Sequence, residues 1–113
     1  MKLSYANRKI EKICTDDKTA RKELGADGAK VLKRRLKEME DAAALEKLRF
    51  DPGHFHELDG DRKGQLSCSI IGLIRLVFVP DNEPVPRKQD GGLDWTRITA
   101  VKNIEIVNYH KKV

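Results

Sequence analysis

With 113 residues, 39% of them hydrophobic and 36% charged, the chain has material for one modest core and is expected to form a single domain over residues 1–113. Its net charge of +5 is uneven, because residues 1–50 hold 14 Lys and Arg against 9 Asp and Glu, whereas residues 51–113 hold 9 of each. That basic half favours a polyanionic partner, while the longest apolar run, "IIGLIRLVFV", is about half the length of a membrane span and contains Arg75, which excludes a transmembrane helix.

A short first strand is expected over residues 2–6. From Asn7 a helix follows, with Ile10, Ile13 and Cys14 on one side and Arg8, Lys9, Glu11 and Lys12 on the other. "TDD" at 15–17 ends it and offers an N-cap for a short segment that stops at Gly25. The strongest helix is expected from about Asp27 to Ala44, with Leu32, Leu36, Met39 and Ala43 as its apolar stripe. A last turn at "LEKLRF" closes at Asp51-Pro52-Gly53.

After Gly53 the period changes from 3.6 to 2. "QLSCSII" sets Leu66, Cys68 and Ile70 on one face, and "LIRLVFV" opposes Ile74, Leu76 and Phe78 to Arg75, Val77 and Val79. Gly72 between them marks a tight antiparallel hairpin. In the last strand, "AVKNIEIVNYH", Ile104, Ile106, Asn108 and His110 alternate with Glu105, Val107 and Tyr109. The connection at residues 80–97 has three prolines, two glycines and no apolar period, so it reads as a long inter-strand loop. The order implies an α+β domain, an N-terminal strand and helices packed on a three- to four-stranded antiparallel sheet. Cys14 and Cys68 have no metal-ligand spacing, and with no apolar signal core after Met1 they read as buried free thiols of a cytoplasmic protein.

No metal, phosphate-loop or Ser-His-Asp spacing is present. What remains is a set of polar residues at strand ends: His54, His56, Asp61, Arg62 and Lys63 before the hairpin, Arg75 in it, and Asn108, Tyr109 and His110 at the end of the last strand. Cutting RNA without metal needs a base for the ribose 2′-OH, cations for the phosphorane charge and an acid for the 5′-oxygen. Histidine suits the proton transfers, arginine and lysine the phosphate, and tyrosine an unstacked base.

The run "FHELDGDRKGQLSCSIIGLIRLVF" with the terminal "IEIVNYH" resembles the HigB-like killer toxins of the RelE/ParE superfamily. Those show a histidine–x–leucine–x–glycine–aspartate–arginine turn, a strand with a serine, an arginine-bearing strand, and an acidic–tyrosine–histidine ending. The resemblance implies the RelE-like fold and the toxin of a type II toxin–antitoxin pair. Such toxins are mRNA interferases, endoribonucleases that cut mRNA in the ribosomal A site without metal or small-molecule cofactor, and are silenced by a HigA-like helix-turn-helix antitoxin. Carried over by position, His56 would accept a proton or hold phosphate, Arg75 would hold the scissile phosphate, and Tyr109 and His110 would orient the base and assist proton transfer. Arg62 and Lys63 would face RNA phosphates, with Asn108 standing where the family has an acid.

Other readings stay beside these. His56 also suits a polar strand edge, Tyr109 and His110 a strand cap, and Asp59, Gly60 and Asp61 a plain turn. His54 has no counterpart in the resemblance and reads as surface decoration. Lys30, Lys33, Arg34 and Lys37 form either a solvated helix face or a contact with ribosomal RNA. Trp95 reads as packing under the 80–97 loop. The competing functions are a ParE-type gyrase-inhibiting toxin and a catalytically inactive binding module.

Overall fold

The computed structural model describes residues 1–109. Strand β1 (Lys2–Tyr5) leads into helix α1 (Arg8–Thr15) and helix α2 (Asp17–Asp41). Strands β2 (His56–Glu57), β3 (Leu66–Ser69), β4 (Ile74–Pro80) and β5 (Ala100–Asn108) follow. The expected α+β arrangement is what forms. The sheet has five strands in the order β1-β5-β4-β3-β2, because two-residue β2 extends one edge and β1 joins the other. All pairings are antiparallel except β1 with β5, where Lys2 aligns with Ala100 and Tyr5 with Asn103.

Local chemistry sets the helical segments. The Asn7 carboxamide accepts the Ile10 N–H at 3.0 Å and starts α1. Asp16 serves both helices: its N–H donates to the Lys12 carbonyl at 2.9 Å, and its carboxylate accepts the Thr19 N–H at 3.2 Å and the Thr19 hydroxyl. Those bonds to Thr19 hold the exposed Asp16 carboxyl below its ordinary range. Gly25, at φ 76° and ψ 171°, breaks the helical path inside α2, in a region of backbone space nearly closed to other residues. The second segment is therefore distinct from the first, as the sequence implies.

Beyond Gly25, Gly28, Ala29, Leu32, Arg35 and Met39 are buried. The helix ends at Asp41 rather than Ala44, and Ala43 is exposed rather than part of the stripe. Ala42 is extended, at ψ 133°, and the Met1 amino group donates to the Met39 and Glu40 carbonyls at 3.0 and 2.8 Å. The chain then turns so that the Leu45 N–H reaches the Ile98 carbonyl at 2.9 Å.

The core lies between the helices and one face of the sheet. Cross-strand pairs Leu66–Phe78, Cys68–Leu76 and Leu76–Ile106 supply the sheet side, and Ile10, Ile13, Leu32 and Met39 the helix side. A register shift at Val77/Phe78 leaves Ile104 without a direct partner on β4, so strict alternation fails across β5.

Residues 80–97 are not structureless. Asn82 Oδ1 accepts the Thr99 and Ala100 N–H groups at 3.0 and 3.1 Å, Arg87 bridges to Leu93, and the Lys88 N–H reaches the Gly92 carbonyl at 2.8 Å. Leu93 and Trp95 are buried in the core. The indole Nε1 donates to Glu57 at 2.9 Å while the Arg49 guanidinium sits 4.2 Å from the ring centroid. Trp95 therefore packs beneath this segment.

Candidate functional site

Strand register sorts the sequence-derived residues between the two faces of the sheet. His56 pairs with Ser67, Ser67 with Val77 and Val77 with Glu105, so these side chains share the face away from the helices. The next row on that face is Ser69, Arg75 and Val107. His56 and Arg75 are thus two strands and two residues apart, a Cα separation of roughly 12 Å by ordinary strand spacings. At that distance two long side chains can close on one small group without touching each other.

Val77 lies on this face yet is 0% exposed. The turn after β2 folds across it. Arg62 reaches over β3 and β4 to donate to Gln65 Oε1 at 2.8 Å and to pair with Glu105 at 2.6 Å. Its guanidinium is therefore engaged within the protein rather than presented outward. Lys63 is exposed. Together Asp59, Asp61, Arg62, Lys63 and Glu105 set two cations against three carboxylates, so this corner is not strongly basic. The Asp59 side chain makes no capping bond to the following turn, which rests on the Arg62 N–H to Asp59 carbonyl and Lys63 N–H to Gly60 carbonyl bonds instead. Asp61 is exposed and has no hydrogen bond to its own backbone among the described residues.

Arg75 folds back on its own hairpin, donating to the Gly72 and Ile74 carbonyls at 2.7 and 3.0 Å. Carbonyl oxygens orient the guanidinium without cancelling its charge. It has no carboxylate within ion-pair distance among the described residues, unlike Arg62.

His56 Nδ1 lies 2.9 Å from the His54 carbonyl oxygen. A carbonyl can only accept, so this contact is a hydrogen bond when Nδ1 carries the proton, the form in which Nε2 has a free lone pair. The two imidazoles lie against each other with centroids 4.4 Å apart and planes 32° from parallel. His54, exposed as a surface residue would be, thus meets His56 through both its carbonyl and its ring. Its φ of 52°, in the left-handed region, turns its carbonyl toward the next-but-one side chain.

Tyr109 continues from β5, its N–H donating to the Leu73 carbonyl at 3.2 Å. With Leu58, Asp59, Asp61, Arg62 and Gln65 it lines an open cleft of about 560 Å³. Register thus sets His56 and Arg75 on the helix-free face, and Arg62 with Tyr109 lines a cleft whose walls include neither of them. Asn108 joins neither group; it pairs with Ile74 and lines a groove on the other side with Asn7, Ile10, Leu24 and Ile106. Lys30, Lys33, Arg34 and Lys37 are exposed on α2, across the sheet from His56, and Lys37 pairs with Asp41 at 3.1 Å. His110 lies outside the described residues.

Two residues of the site's foundation escape a reading of the sequence. Arg35, at 7% exposure, donates from Nε to the Ser69 carbonyl at 2.7 Å and pairs with Glu38 at 3.2 Å. Gly53 lies against it, and its carbonyl accepts the Ser69 N–H at 2.8 Å. Spacing carried a signal for Arg35, since 32, 35 and 39 fall on one helical face. Both cysteines are free, with Cys68 buried and Cys14 half-buried. Among the described residues no cluster of His, Cys, Asp or Glu could hold a metal ion, and no helix is long and apolar enough to cross a membrane.

No family model matches the chain, and no curated protein matches it. Among solved structures it is similar to a YoeB/ParE toxin from Agrobacterium tumefaciens, with a TM-score of 0.54 at 16% sequence identity, over 94% of this chain and 95% of that one. That likeness establishes the fold: the chain has the α+β arrangement of a YoeB/ParE toxin, its helices packed on a mostly antiparallel sheet.

Proposed function

We propose that the protein is the toxin of a type II toxin–antitoxin pair, a HigB-like, ribosome-dependent mRNA interferase. The observation that carries this reading is the helix-free sheet face, where His56, its Nδ1 turned to the His54 carbonyl, and Arg75, without a carboxylate partner among the described residues, stand on adjacent rows. In the A site, His56 Nε2 takes the ribose 2′-OH proton as the 2′-oxygen attacks the neighbouring phosphorus. The P–O5′ bond breaks, the 5′-oxygen leaves with a proton from the Tyr109–His110 end of the chain, and a 2′,3′-cyclic phosphate remains. Arg75 offsets the charge that builds on the phosphate oxygens. Tyr109 stacks on the base in the cleft beside Gln65. Lys63 and the α2 cations Lys30, Lys33, Arg34 and Lys37 supply sequence-independent attraction to RNA. A HigA-like helix-turn-helix antitoxin silences the activity in the cytoplasm.

A second reading, ParE-type gyrase inhibition or a catalytically silent binding module, draws on the Arg62–Glu105 pair and on Asn108 facing away from His56. One experiment separates them. Purified protein is added to ribosomes programmed with a defined mRNA, and in parallel to gyrase with relaxed plasmid. The proposal expects cuts at A-site codons, lost on His56→Ala or Arg75→Ala, with supercoiling intact. Whole mRNA alongside blocked supercoiling overturns it, and inertness in both assays leaves only the binding module.

A further inference from the structure

The loop beneath His56 is built more firmly than a surface turn requires. The His54 N–H closes on the Asp51 carbonyl at 3.2 Å, and the Ser69 N–H holds the Gly53 carbonyl at 2.8 Å. From below, Arg35 bonds the Ser69 carbonyl, and the phenyl ring of Phe55 is buried. A Cβ placed on Gly53 would come within 2.7 Å of Phe55 and 2.8 Å of Arg35, so this layer is closely packed at Gly53. Upon it stands His54, left-handed, with its carbonyl and its ring both applied to His56.

We propose that His54 is a positioning residue for His56. Its carbonyl fixes the Nδ1–H tautomer, and its ring holds the imidazole plane, so that Nε2 alone is presented to the open face. Free imidazole side chains in water favour the opposite tautomer, so the contact selects the less common form. The same carbonyl remains the acceptor for Nδ1–H after Nε2 has taken a proton, the task an outer partner performs for other reactive histidines. The purpose of this arrangement rests on the reading of His56 as the proton acceptor. The tautomer itself does not.

The test uses the full chain labelled with 15N-histidine at about pH 8.5, where ordinary imidazoles are neutral. Imidazole 15N shifts are expected to show His56 protonated at Nδ1. His54→Asn tolerates positive φ and should keep that form. His54→Val cannot hold it comfortably, so its carbonyl swings away and His56 should move toward Nε2–H. In the ribosome assay His54→Val should lose on the order of tenfold in cutting rate, with His54→Asn, which keeps the carbonyl but not the ring, recovering part of it. Thermal melts confirm that each variant is folded, and the wild-type spectrum suffices should His54→Val fail to fold. An Nε2–H His56 in the wild type overturns the proposal whether or not the protein cuts mRNA. An Nδ1–H His56 in a protein that cuts nothing upholds the positioning and refutes the nuclease.

Discussion

Gly53→Ala measures how rigid the layer under His56 is. The new Cβ would meet Phe55 Cε1 at 2.7 Å, Arg35 Nε at 2.8 Å and Arg35 Cδ at 2.9 Å. Phe55 is 3% exposed and Arg35 is tied to the Ser69 carbonyl, so neither is the loose end of a flexible chain. Overpacking of this kind costs about 1–3 kcal/mol. Losing a glycine from the unfolded chain returns about 0.4–1 kcal/mol, which leaves a net loss of up to about 2.6 kcal/mol, with mid-range values giving about 1.3 kcal/mol. For a chain of this length that mid-range loss corresponds to a drop in Tm of roughly 5 °C. Circular dichroism melts at neutral pH, read beside urea titrations, give both quantities. A variant that melts within a degree of wild type shows that the layer yields and does not brace His54.

Two further outcomes follow from the same geometry. Glu105→Gln breaks the 2.6 Å ion pair that holds Arg62 across the sheet. Because that pair is partly exposed, stability should fall by less than about 1 kcal/mol, whereas binding of a short single-stranded RNA should tighten several-fold with a steeper salt dependence. Unchanged affinity would place Arg62 off the RNA path. Burial raises both thiols, Cys14 and Cys68, from 9.0 to about 12. The folded state thus holds protons that the unfolded chain releases above its own thiol pKa. This contribution is intact below about pH 9 and is lost as pH rises toward 12, by up to about 1.4 kcal/mol per pH unit for each thiol. Urea midpoints of the wild type should therefore fall faster between about pH 8 and 10 than those of a Cys14→Ala, Cys68→Ala double variant. Parallel curves would refute the burial argument.

The helical pair, the Gly72 hairpin and the last strand were legible in the sequence because each announces itself by period. Residues 80–97 were not, since their order comes from Asn82, Arg87 and one buried indole rather than from a repeat. The shift at Val77/Phe78 is equally silent, although it sets the alignment of β5 against β4. For the candidate site, His56, Arg75 and Tyr109 stood out as polar groups at strand ends, but the partners that fix them did not. "KRRLK" reads as a solvated run, and only the count from Leu32 to Met39 turns Arg35 inward. The left-handed turn at His54 has no clear mark in "PGHF", because histidine merely tolerates that backbone better than most residues.

The place of β5 in the sheet has a consequence for the order of folding. It lies between β1 and β4, so the first residues of the chain pair with some of the last, Lys2 with Ala100. Closing so long a loop is slow, and no local contact substitutes for it. During synthesis β1 has no strand to pair with until residues 100–108 are free to fold. The row that runs from His56 through Val77 to Glu105 is incomplete for the same interval.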